Sequence, residues 1–97
     1  MSKAVVILPR LIGSRTSATL LTENLAPDLS KSELVFDFRS NLVVNRSVCN
    51  ELMRQAAERN ARHVTVENAS DDVFADMQYT AGVHFKDRVL ELNRSSF

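Results

Sequence analysis

The chain has 97 residues, 44% of them hydrophobic and 25% charged, with 12 basic side chains balanced by 12 acidic ones. That is the size and composition of one folded domain, residues 1–97, and it argues against disorder of the whole chain. A zero net charge and arginines scattered from Arg10 to Arg94, with no basic run, argue against nucleic acid as the partner, because phosphate binding needs a concentrated basic footprint.

Ala4-Val5-Val6-Ile7-Leu8 is a short apolar, β-branched run stopped by Pro9, and it predicts a buried strand. Gly13 breaks the chain and Ser14 offers a helix cap. Ala18, Leu21 and Leu25 then recur at helical spacing, with Leu20 beside them, up to a predicted stop at Pro27. Asp28 to Glu33 reads as a polar connection.

Leu34-Val35-Phe36-Asp37-Phe38 predicts the central strand, apolar enough to be covered on both faces. Arg39-Ser40-Asn41 is a turn, Leu42-Val43-Val44 is apolar again, and Asn45 or Ser47 can cap the next helix. Val48, Cys49, Leu52, Met53 and Ala56 make one apolar stripe, and Asn50, Glu51, Arg54, Glu58 and Arg59 are expected to face outward.

His63 to Glu67 alternates as a third strand. Asn68 and Ser70 are candidate caps, Asp71 and Asp72 suit a first turn, and Val73, Phe74, Met77 and Ala81 form an apolar face that Gly82 can end. Arg88 to Leu92 can be a last strand or a short helix. Strands alternating with helices predict an α/β fold, a small mostly parallel or mixed sheet with helices packed against it.

Few catalytic constellations survive inspection. The two histidines, His63 and His84, stand far apart, Cys49 is the single thiol, and no metal-ligand spacing occurs. Two glycines, Gly13 and Gly82, cannot form a phosphate loop. No serine sits in a nucleophile elbow, and helix capping accounts for Ser14, Ser47 and Ser70. The expectation is a protein that is not an enzyme and needs no metal or cofactor. Asp37, inside an apolar strand near its C-terminal end, has two readings: a group lining the crevice where open α/β sheets bind ligands, or a carboxylate that accepts from the turn after it. A lone cysteine, the absence of a signal-peptide pattern and apolar runs too short for a bilayer make the cytoplasm the expected compartment, with no membrane partner.

One stretch carries a family likeness. Val35 to Leu52 reads V-F-D-F-R-S-N-L-V-V-N-R-S-V-C-N-E-L. It resembles the bacterial STAS-like domains, relatives of the sulphate-transporter and anti-sigma-factor-antagonist domains, whose pattern is a strand ending D-F, a turn, and I-S-x-S-F-x-x-E-L opening a helix. Asp37-Phe38, Val44, Ser47 and Glu51-Leu52 match it, and Ser14-Arg15, Ala18, Leu21 and Leu25 fit the pattern upstream. The likeness covers about two thirds of the chain. The chain departs from it at Ser40, where the family turn has glycine, at Asn45, which replaces the first serine, and at Val48, which replaces phenylalanine. Arg46 aligns with the serine that is phosphorylated in the antagonists, so that switch cannot operate at this position.

The resemblance implies a small regulatory module that docks on a protein partner, a kinase-like ATPase being the type its relatives meet. The partner-binding surface is expected at Asp37, Arg39, Ser40, Asn41, Asn45, Arg46, Ser47 and Asn50. Two alternatives stand beside it. One is a self-assembling subunit, a homodimer or higher oligomer, that associates through a sheet edge or a tail bearing Leu90, Leu92 and Phe97. The other is a small-ligand or nucleotide-binding domain using the crevice near Asp37.

Overall fold

The computed structural model describes residues 2–96. Strand and helix alternate throughout: β1 (Ser2–Ile7), α1 (Arg15–Thr22), β2 (Ser32–Asp37), α2 (Arg46–Glu58), β3 (His63–Glu67), α3 (Asp71–His84) and β4 (Glu91–Ser95). The four strands form one all-parallel sheet in the order β1-β2-β3-β4. Of Arg88 to Leu92 only Glu91 and Leu92 are strand: β4 starts three residues later than expected and runs in register from His63 opposite Glu91 to Glu67 opposite Ser95. Leu90 and Leu92 are half-buried against the core, and Phe97 lies outside the described residues.

Sequential strand order has a consequence for coverage. Parallel crossovers are right-handed, so three successive crossovers in one direction put α1, α2 and α3 on the same face. Burial follows that rule. Val6 and Leu8, then Leu34, Phe36 and Phe38, then Val64 and Val66 all enter the hydrophobic core, whereas Val5 and Ile7 on the opposite face are half or more exposed. The expected two-sided cover of the central strand is therefore corrected: β2 is interior in the sheet but has helices on one face only. Val35, on the bare face, is still buried, because Val5 and Thr65 flank it in register and Glu33 and Asp37 flank it along its own strand. The apolar run of β1 is likewise half-buried, at a sheet edge.

The helix layer is centred on α2, which packs between α1 and α3. Local chemistry starts all three helices. Ser14 Oγ accepts from the Ser17 amide at 3.0 Å, Asn45 Oδ1 from Val48 at 3.0 Å, and Ser70 Oγ from Val73 at 3.2 Å. The cap of α2 is thus Asn45 and not Ser47, and that of α3 is Ser70. Asn68 instead takes a left-handed backbone, with φ of 59°.

Other boundaries shift. α1 stops at Thr22, short of Pro27, leaving Leu25 beyond the helix and Leu20 exposed. The connection after it buries Leu29, and strand β2 begins within it, at Ser32. Gly82 lies inside α3, which runs on to His84.

The outward face expected of α2 needs the largest correction. Of the five residues expected to face outward only Glu58 is exposed; Asn50, Arg54 and the C-cap Arg59 are half-buried and Glu51 is wholly buried. Two neighbours cause it: α1 covers the flank carrying Glu51 and Arg59, and α3 covers Asn50. Glu51 accepts from Thr19 Oγ1 at 2.8 Å, Gln55 Nε2 at 2.8 Å and Arg54 at 2.8 and 2.6 Å. The Arg54 guanidinium, which also pairs with Glu58, is the main reason the Glu51 carboxyl is held down at about 2.

Candidate functional site

In a parallel sheet the loops leaving the strand C-termini gather at one pole, and crevices open there. Two of those loops, β1–α1 and β2–α2, are laced together. Leu11 and Val43 form a parallel bridge, the Ile12 amide donates to Val43 O at 3.1 Å, and the Leu42 amide donates to Arg10 O at 2.8 Å. Side-chain amides finish the lacing. Asn41 Nδ2 donates to Pro9 O at 2.8 Å and to Val43 O at 3.0 Å, and Asn45 Nδ2 donates to Gly13 O at 2.9 Å.

The predicted residues divide by what they touch. Asp37 is nearly buried, and its Oδ1 accepts from the Arg39 amide at 2.9 Å and from Asn68 Nδ2 at 3.3 Å. The turn-bonding reading of this carboxylate is the one observed. Asn41 and Asn45 are spent on the lacing and the cap. Arg46 leans onto α3, where it pairs with Asp76 at 2.9 Å and lies 4.8 Å over the Tyr79 ring, while most of its side chain stays exposed. Asn50 faces α3 as well, its Oδ1 lying 2.9 Å from His84 Nε2. Arg39, Ser40 and Ser47 are exposed. The pole thus brings together Asp37, Arg39, Ser40, Asn41, Asn45, Arg46 and Ser47, and Asn50 falls away from them into the seam between α2 and α3.

Three residues that reasoning from the sequence passed over define the surface better. Leu11, Leu42 and Val43 are 67%, 68% and 54% exposed on the two laced loops. Beside them a cavity of about 340 Å³ is lined by Phe38, Asn41, Leu42, Val43, Val44, Asn68, Ser70 and Val73. The sequence carries part of the signal: Leu42-Val43-Val44 is an apolar triplet between two asparagines, too short for an ordinary strand and placed directly after the turn, but nothing local in it reports exposure.

A larger cavity, about 670 Å³, opens at the opposite pole, between the segments that lead into β2, β3 and β4; Asp28, Asn60, Arg62 and Arg88 line it. None of the predicted residues is there. Among the described residues no three His, Cys, Asp or Glu side chains gather into a metal-binding group, and no helix is long and apolar enough to cross a membrane. Cys49 is buried in the core, and its thiol is pushed up to about 12, chiefly by desolvation.

Compared with known proteins, the chain matches no family model, no curated protein and no solved structure.

Proposed function

We propose that the chain is a small regulatory protein-binding module of STAS-like type. It acts as an anti-sigma-factor antagonist does, by docking on a protein partner, a kinase-like ATPase being the class the sequence resemblance implies. Docking uses the C-terminal pole of the sheet. One observation carries the proposal: Leu11, Leu42 and Val43 stand exposed together on two loops that are cross-bonded into a fixed shape. Apolar side chains clustered in solvent mark interaction sites. A pre-shaped loop pair also loses little conformational freedom on binding. Arg39, Ser40 and Ser47 supply the polar rim that such a patch needs.

The small-ligand reading has less support. Its key group, the Asp37 carboxylate, is already engaged by the Arg39 amide and the Asn68 side chain. A tail free to reach another chain has none, since β4 is built into the sheet.

The test is affinity capture with the wild-type chain, then calorimetric titration of the captured partner with wild type and Leu42→Glu. The substitution sits on an exposed loop residue, so the melting temperature should hold. Binding should weaken by roughly tenfold or more. A titration in which Leu42→Glu binds as the wild type does removes the pole as the docking surface.

A further inference from the structure

The two edges of the sheet are guarded differently. β4 is short and polar, with Glu91 and Arg94 along it, and Arg94 is tied to Asp71 at 2.7 Å. Charged, short edges of that kind resist strand pairing. β1 has six residues and a centre of Ala4-Val5-Val6-Ile7, with Lys3 its one charged side chain. The Leu8 amide donates to Asp37 O at 2.9 Å, so it points at β2. Backbone groups alternate along a strand, which turns the amides and carbonyls of Lys3, Val5 and Ile7 away from the sheet.

We propose that β1 pairs antiparallel with β1 of a second copy of this chain about a two-fold axis, joining two sheets into one of eight strands. The geometry is self-complementary. With Val5 opposite Val5 of the second copy, Lys3 falls opposite Ile7, and these are the residues whose backbone groups point outward. All three lie on the bare face, so the exposed Val5 and Ile7 of both copies run together there. Charge agrees with this register. Each Lys3 lies opposite an apolar Ile7 and well away from Lys3 of the second copy, so no like charges meet, and its own contact to Glu33 is a loose 3.9 Å. The helix layer is open at the same side. As the crossover from β1 to β2, α1 borders another helix only at α2, and Leu20 on its remaining surface is 58% exposed. This inference does not depend on the docking surface at the C-terminal pole.

Sedimentation equilibrium on the wild-type chain, Val5→Pro and Ile7→Lys tests it. The wild type should dimerise at micromolar concentration. Proline at Val5 removes an outward-facing amide and no bond to β2, so the monomer keeps its circular dichroism while the dimer dissociation constant rises by roughly tenfold or more. If proline disturbs the strand, Ile7→Lys decides, because it adds a charge on the open face without touching the backbone. A wild type that stays monomeric to sub-millimolar concentration overturns the proposal. So does a dimer that survives in folded Ile7→Lys.

Discussion

Helix α2 spends its polar residues in two opposite ways. In its middle, Glu51 is wholly buried, and Thr19, Arg54 and Gln55 all donate to it. At its start, Ser47 and most of Arg46 stand in solvent beside an exposed apolar cluster. A buried, fully bonded carboxylate fixes how α1 lies on α2, and its partners leave it nothing to offer a ligand. Exposed polar groups around an apolar patch contribute little to stability and remain available to a partner. Mid-helix changes should therefore register in unfolding, and changes at the helix start should register in binding.

The largest effect is expected on the sheet side of the same helix. Leu52 is fully buried in the core, and Leu52→Ala should cost about 2–5 kcal/mol in a denaturant titration. An unchanged midpoint would mean that this face is not core.

Glu51→Gln comes next, at about 1–3 kcal/mol, because it removes the charge from hydrogen bonds to Arg54 and leaves the volume nearly the same. Its signature is pH dependence. The folded carboxyl is held at about 2 against an ordinary 4.5, so the unfolded chain binds the proton more readily. Stability from this group is present above pH 4.5 and is lost as the pH falls towards about 2. The difference between wild type and Glu51→Gln should shrink across that window. A difference constant from neutral pH down to about 2 would remove the charge from the explanation.

These two residues also mark what was legible in the sequence. The burial of Leu52 follows from the stripe of Val48, Cys49, Leu52, Met53 and Ala56, a pattern contained within one helix. Ser14 was readable as a cap for the same reason, since a cap acts over three residues, while Asn45 and Ser70 were each one of two candidates, beside Ser47 and Asn68. The burial of Glu51 was not readable, because it depends on where α1 lies, and nothing in the periodicity of α2 reports its neighbours. The one-sided cover of the sheet escaped for the same reason: strand order is a long-range property, and Leu34 to Phe38 reads alike under one layer of helices or two. At the pole, the turn and helix start could be placed by their local signals. The exposure of Leu42 and Val43 could not, since an apolar residue in a loop shows its surroundings only once the neighbouring loop, here carrying Leu11, is in position.

The smallest effect on stability, and the sharpest division between the two ends of α2, belongs to Arg46→Glu. Simple exposure would predict no change in melting at all. Arg46, however, pairs with Asp76 and lies over Tyr79, so the substitution removes both contacts and sets a second carboxylate beside Asp76. The Arg46 side chain is 63% exposed, and solvent screens such a pair, so the loss should stay within about 1 kcal/mol. The Asn45 cap, one residue away, is untouched, because its Oδ1 bonds the Val48 amide and its Nδ2 the Gly13 carbonyl. Binding should respond more strongly than folding, since reversing a charge at an interface costs more than losing a screened pair on the surface. Calorimetric titration of the partner and a thermal melt of the same variant separate the two. Weakened binding with a near-normal melt places Arg46 at the interface. A lowered melt with unchanged affinity makes Arg46 a strut between α2 and α3 and confines the docking surface to Leu11, Leu42 and Val43.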